Sequence, residues 1–302
     1  MGAPGKVALV TGVAGFTGRY VRSELQAHGW RVVGIGSHSA EEPSKNYHQV
    51  DLLDAAGLND VLALIRPDAV VHLAALAFVA HGNVDDFYKV NLIGTRNLLS
   101  AIAASGNVPQ CVLLASSANV YGNAASGMLD EDTRAEPAND YAVSKLAMEY
   151  MASLWKDRLP LVVARPFNYT GVGQAGNFLI PKIVDHFKRR DDVIELGNLD
   201  VWREFNDVRM VAQIYRRLIE TPAAIGNTYN VCTGKQYSLR EVVALCEEIT
   251  GHRIELKVNP AFVRTGEVRE LKGNPSRLER LFERLGEVDL DETLRWMLCG
   301  QG

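Results

Sequence analysis

A short apolar run, Lys6-Val-Ala-Leu-Val-Thr11, breaks into Gly12-Val-Ala-Gly15-Phe-Thr-Gly18. It passes at once into a helical pattern reaching His28 and then a second apolar run, Arg31 to Ile35. No other stretch limits the fold so tightly. A continuous apolar run ended by a turn signal reads as a buried strand, and strand, glycine loop, helix, strand opens a βαβ unit. Glycines placed this way let the backbone turn sharply and approach a pyrophosphate, which the helix N-terminus favours through its free amides and dipole. The spacing alone is weak, since a chain of this glycine content yields it by chance about 0.2 times. Its place between a first strand and a helix gives it weight, and makes Gly12, Gly15, Phe16, Thr17 and Gly18 candidate dinucleotide contacts.

The alternation continues. Tyr47 to Leu52 is followed by a helix over 55–65, the run Asp68-Ala-Val-Val-His-Leu-Ala-Ala75, a long amphipathic helix over 84–105 and a fifth strand from Pro109 to Ser116. Strands alternating with helices over 165 residues predict an α/β fold, a Rossmann-type doubly wound parallel sheet with its ligand beyond the strand C-termini. On that side lie Asp51 and Leu52, candidates for the adenine end, with Asp51 equally suited to capping the next turn. Ala74 and Ala75 are small enough for a cofactor to pass close. The second strand ends Gly34-Ile-Gly-Ser-His-Ser39, without the acid that commonly binds the ribose hydroxyls of NAD. That leaves room for a 2′-phosphate, with Arg19 and His38 as candidate partners or as plain surface residues. The cofactor expectation is NADP, with NADPH preferred and NADH possible.

Beyond Arg165 the pattern loosens. Segments 166–175 and 191–208 read as loops around a helix at 177–190; a strand near 226–232, a helix at 238–250, a strand at 253–258 and terminal helices follow. The expected organisation is a dinucleotide-binding domain over 1–165, with later segments returning to it, and a smaller α/β substrate-binding lobe over 166–302 that makes a cleft with the first.

Chemistry centres on Tyr141-Ala-Val-Ser-Lys145 and Ser116-Ser117. Tyr and Lys four apart on a helix share one face. A phenol ordinarily loses its proton near pH 10; a neighbouring ammonium favours the phenolate and brings the group within range of proton transfer. Ser117, from another segment, would hold the same oxygen. Such a trio suits proton movement at a carbinol oxygen while a hydride moves at carbon. Of the ten tyrosines only Tyr141 has Lys at the fourth position, but about 0.3 such pairs arise by chance, so the pair counts only with the rest of the chain.

A net charge of -4 and a pI near 6.0 argue against a nucleic-acid partner. Four widely spaced cysteines without a CxxC point to reduced thiols in the cytoplasm and to no structural zinc. No metal site, signal peptide or membrane span is expected.

With TGVAGFTG, HLAA, SSANVYG and YAVSK in this order, the chain resembles the extended short-chain dehydrogenase/reductases that act on nucleotide sugars, over essentially all 302 residues. The resemblance implies NAD(P) on the glycine loop and catalysis by Ser117, Tyr141 and Lys145. Arg165-Pro-Phe-Asn168, running on as YTGVGQ, together with GNLDVWREFNDV, YNVCTG and Asn259-Pro260 to Val268, is similar to the branch that reduces GDP-4-keto-6-deoxy-D-mannose. It departs from that branch at Val172 and Thr265, where proline is usual. By similarity Asn168, Lys182, Arg203 and Arg264 would contact the nucleotide diphosphate and Glu267 a ribose; guanidinium forks suit phosphate oxygens. The sister 4,6-dehydratases carry an acidic pair after the catalytic hydroxyl, where this chain has Ala118 and Asn119, so dehydration is disfavoured. The resemblance implies a reductase of a GDP-linked 4-keto-6-deoxyhexose, forming GDP-D-rhamnose, and a homodimer; helices 84–105 and 140–157 are the candidates to pair across its axis, although burial within the monomer accounts for their apolar faces as well. An NAD-dependent 4-epimerase is the rival enzyme, and an NADP-sensing protein without catalysis the rival of another class.

Overall fold

The computed structural model describes residues 5–39, 46–77, 83–122, 127–199, 201–262 and 270–300. Its principal sheet has seven strands: β1 Val7–Thr11, β2 Arg31–Gly36, β3 Tyr47–Gln49, β4 Ala69–His72, β5 Cys111–Ala115, β6 Leu161–Pro166 and β7 Thr228–Val231. Their spatial order is β7-β6-β5-β4-β1-β2-β3, and the pairings from β3 across to β6 are parallel. Every residue of β4, and all of β1 after Val7, is buried. Both faces are covered by helices, which is why these strands read as unbroken apolar runs without alternation. The core over one face gathers Leu9, Leu58, Leu62, Leu98, Ile102 and Leu114.

The chain leaves β1 toward β2 and β3, then returns to build β4 and β5 on the other side. Strand order therefore reverses at β1 and β4, and a crevice opens beyond the C-termini of such a pair. In the register, Thr11 faces Ile35 on one side and His72 on the other, while His72 faces Leu114. The glycine loop and Leu73–Ala75 follow directly from this row.

By the packing of the chain two compact units are resolved: residues 1–120, 137–165 and 212–229 form one, and 121–136, 166–211 and 230–302 the other. The second unit has its own core of Ile183, Phe187, Ile194, Leu196, Val242 and Leu294. Segments expected as loops contain short strands here. Val193–Leu196 pairs in parallel with Glu255–Val258, Tyr169–Thr170 with Asn206–Asp207, and Trp202–Arg203 joins a four-stranded sheet. Strands of two to four residues show no local period, and their partners lie far along the chain, so propensity alone misses them.

Two helices depart from expectation. The helix expected over 140–157 closes at Ser153; beyond it Trp155, Lys156 and Arg158 bond to the third residue back, a tightened turn that ends the helix. The run expected over 84–105 is helical from Asp85 to Ala104, but Tyr88–Gly94 is wound as a wider π turn.

Candidate functional site

Thr11 ends β1 and Gly12 follows with φ 68, a left-handed value glycine adopts without strain. A Cβ on Gly12 would lie 3.0 Å from the backbone of Ala74, and one on Gly18 would lie 2.2 Å from the Gly12 carbonyl oxygen and 2.7 Å from Val13 Cα. The loop is thus folded against its own backbone and against the turn after β4. Gly15 is the N-cap of the helix Phe16–Ala27, whose first turn holds no acid. Its amides at Phe16, Thr17 and Gly18 are the first of the helix, a place suited to a phosphate anion. These residues fit a dinucleotide.

Elsewhere along the expected cofactor path the groups are more committed. Asp51 Oδ1 accepts from the Leu53 amide at 2.8 Å, so the capping role open at the sequence level is occupied. Leu52 is buried, and Ala74 and Ala75 are half-buried. Arg19 is exposed on the glycine-loop helix, and His38 is exposed after β2, its Nδ1 3.1 Å from Ser37 Oγ and its carbonyl accepting from Tyr47.

A hydrogen-bond chain that the sequence did not suggest joins this loop to the helix Asp140–Ser153. The Leu73 and Ala74 amides donate to Thr11 Oγ1 at 3.1 and 3.0 Å. Thr11 Oγ1 lies 2.8 Å from His72 Nδ1, and His72 Nε2 2.8 Å from Thr95 Oγ1. Thr95 donates its hydroxyl hydrogen to the Asn91 carbonyl at 2.7 Å. Nε2 therefore carries the proton given to Thr95, and in the neutral ring that burial favours Nδ1 accepts from Thr11. Burial, with the nearby Lys145 charge, pushes its pKa down to about 3. Asn91, inside the π turn, accepts from the Leu76 amide at 2.9 Å and donates to Ser144 Oγ at 3.0 Å, and Ser144 donates to the Tyr141 carbonyl at 2.7 Å.

The helix Asp140–Ser153 starts where Asn139 accepts from the Ala142 amide at 2.9 Å, a side-chain N-cap. One turn in, Tyr141 and Lys145 share a face. Tyr141 is 7% exposed and meets the edge of Phe87 with ring centroids 6.1 Å apart. Lys145, 5% exposed, donates to the Ala115 carbonyl at 2.7 Å. Burial pulls its pKa down to about 8, against a partly restoring pull from Glu149. Ser117, 8% exposed, accepts from the Asn119 amide at 3.1 Å. That contact uses the oxygen as acceptor, so the hydroxyl hydrogen is the part left to face a ligand. Lys145 and Ser117 thus meet the same strand end, two residues apart, and Ala118 and Asn119 follow with no carboxylate between them.

The expected nucleotide contacts lie in the second unit. Asn168 accepts on its carbonyl from the Asn206 amide at 2.8 Å. Arg203 Nη1 donates to the Trp202 carbonyl at 2.8 Å. Lys182 Nζ donates to the Glu195 carbonyl at 2.8 Å and sits 4.2 Å from the ring centre of Phe262, so it is held within its own unit. Arg264, Thr265 and Glu267 fall outside the described residues. Beside Arg203, Glu204 is almost wholly buried and accepts from the amides of Gly273, Thr233 and Gly234; burial raises its pKa in spite of those donors. Among the described residues no cluster of His, Cys, Asp or Glu is placed to hold a metal, and no helix is long and apolar enough to cross a membrane.

The family model for GDP-mannose 4,6 dehydratase matches residues 9–297. GDP-6-deoxy-D-talose 4-dehydrogenase of Aggregatibacter actinomycetemcomitans is 38% identical, the match covering 89% of each chain. GDP-6-deoxy-D-mannose reductase of Pseudomonas aeruginosa is 34% identical over 96% of this chain and 95% of its own. Among solved structures, a Burkholderia cenocepacia J2315 protein with a provisional epimerase name superposes at TM-score 0.92, with 50% identity over 99% and 98% of the two chains. RMD from Pseudomonas aeruginosa complexed with NADPH superposes at 0.86, with 32% identity over 97% and 98%. The chain belongs to the GDP-mannose 4,6-dehydratase-like branch of the extended short-chain dehydrogenase/reductases, which are NAD(P)-dependent oxidoreductases.

Proposed function

We propose that the protein is an NADPH-dependent reductase of a nucleotide-linked 4-keto-6-deoxyhexose, converting GDP-4-keto-6-deoxy-D-mannose to GDP-D-rhamnose, with NADH as a weaker donor. The observation that carries this reading is the buried Lys145, held on the Ala115 carbonyl one helical turn from Tyr141 and drawn down to a pKa of about 8. Its charge stabilises the phenolate that Tyr141 becomes on giving its proton to the sugar C4 oxygen. Ser117 donates its remaining hydrogen to the same oxygen and fixes the ketone's orientation. The cofactor, when bound, supplies the hydride. Gly12, Gly15, Phe16, Thr17 and Gly18 would hold its pyrophosphate, Asp51, Leu52, Ala74 and Ala75 would line its path, and Arg19 and His38 would meet the 2′-phosphate. Asn168, Lys182, Arg203, Arg264 and Glu267 are assigned to the nucleotide of the substrate by family resemblance.

Reduction is favoured over dehydration because Ala118 and Asn119 offer no carboxylate to take a proton from the sugar ring. The 38% identity to a GDP-6-deoxy-D-talose 4-dehydrogenase supports a second reading, the opposite configuration at C4. The cytoplasm is assigned from four cysteines that are all free. A homodimer is assigned from Val143 and Tyr150 on one side of the catalytic helix and Leu154 at its C-cap, with Tyr150 67% and Leu154 80% exposed.

The test is purified protein with GDP-4-keto-6-deoxy-D-mannose and NADPH, reading cofactor absorbance and the C4 configuration of the product. GDP-D-rhamnose with stoichiometric NADPH loss is expected, and GDP-6-deoxy-D-talose would select the second reading. Protein that retains NAD and interconverts sugars without net cofactor loss would be an epimerase, and protein that binds NADP without turnover a sensor.

A further inference from the structure

The helix face that carries Tyr141 and Lys145 continues, one turn on, to Glu149. The Glu149 carboxylate is buried and engaged by two segments. Arg165 in β6 grips it as a fork, Nε on Oε1 at 3.0 Å and Nη2 on Oε2 at 2.6 Å, and Ser116 donates its hydroxyl to Oε1. Both side chains of the ion pair are about nine-tenths buried. Ser116 stands between Ala115, whose carbonyl holds Lys145, and Ser117. Consecutive residues at the end of β5 therefore anchor consecutive turns of the catalytic helix.

We propose that Glu149 is a positioning residue for the proton donor, which with Arg165 sets the charge felt by Lys145 and clamps the Tyr141 helix to the end of β5. This rests on the roles given above to Tyr141 and Lys145. A buried ion pair with no other task would tie helix to strand and leave Lys145 indifferent to it. Here the carboxylate lies one turn from Lys145 on the same face, and it is the charge that partly offsets the desolvation of that ammonium. The other groups facing Lys145 do not replace it. Tyr141 on the same helix offers a phenol and no carboxylate, Arg165, the partner of Glu149, has the wrong sign, and His72 from β4 is held uncharged by burial and by the Lys145 charge itself. From the long helix, Tyr88 is bound to Asp140 at the first turn.

The experiment follows the Lys145 Cε signal by isotope-edited NMR through a pH titration without substrate, assigned by its loss in Lys145→Met. Glu149→Gln keeps the volume and an acceptor oxygen but leaves Arg165 without its counter-charge; the Lys145 midpoint should fall by about one pH unit. In Glu149→Gln/Arg165→Gln, which changes no net charge and spares the fold an unpaired guanidinium, it should fall by less. The alkaline limb of turnover should move in the same order. Equal midpoints in the three folded proteins, or a fall in the double variant at least as large as in Glu149→Gln, would overturn the proposal. Because the titration needs no substrate, the expected order of shifts without keto-sugar reduction by the wild type would support the hold of Glu149 on Lys145 and overturn the reductase reading alone.

Discussion

Replacing His72 by Gln tests the neutral imidazole between Thr11 and Thr95. The folded protein holds this group uncharged, with a pKa near 3, whereas the unfolded chain titrates at the ordinary value of 6.5. A depressed histidine contributes stability that is fully present above 6.5 and is lost as pH falls toward 3, because the unfolded state binds the extra proton in that window. Each unit is worth about 1.4 kcal/mol, so at pH 5 the wild type should have lost about 2 kcal/mol through this residue alone. Gln has no such titration. At pH 7.5 it lacks the geometry to reach both hydroxyls, and losing one hydrogen bond and leaving its buried partner unsatisfied, at about 1 kcal/mol each, makes it less stable by about 2 kcal/mol. Urea unfolding of both proteins at pH 7.5 and pH 5 should thus show a gap of about 2 kcal/mol closing to about zero. All other titrating groups cancel in the difference. A gap of the same size at both pH values would refute the uncharged state assigned to the buried His72 imidazole.

Three further outcomes are expected. Tyr141→Phe should abolish keto-sugar reduction while NADPH binding, followed by fluorescence, changes less than about twofold, since only a hydroxyl is removed. Gly18→Ala should weaken NADPH binding by about tenfold or more, because its methyl would meet backbone atoms of Gly12 and Val13 that cannot swing aside; calorimetry reads the change directly. Of the four cysteines only Cys299 is exposed, and burial pushes Cys111 and Cys246 up to about 12. A thiol reagent should then titrate one group in the folded protein and four after denaturation.

The Rossmann-type sheet was legible because its strands are buried on both faces, so Val7–Thr11 and Ala69–His72 announce themselves as apolar runs wherever they pair. The second unit was not legible in the same way. Trp202–Arg203 is a strand only because Tyr237–Ser238 and Glu270–Gly273 lie beside it, and nothing within two residues encodes that. The hydrogen-bond chain through Thr11, His72, Thr95 and Asn91 escaped for a related reason: it joins positions up to 84 residues apart, each of which is ordinary alone. Glu149 was within reach. Its place four residues after Lys145 repeats the spacing of Tyr141 and Lys145, and an acid continuing the face of a catalytic helix is a signal that can be read without coordinates.

The strand β6 has a consequence for how the chain is made. Its outer margin is satisfied by Gly226, Asn227 and Val231, whose backbone groups bond to Leu161, Val163 and Phe167. Those partners leave the ribosome some 64 residues after Val163. Until they do, the nascent cofactor-binding sheet carries an open apolar rim of the kind that invites intermolecular pairing. A gene cut at residue 165 should therefore yield an aggregating fragment, and a chimaera built between relatives must carry the later strand along with the earlier ones.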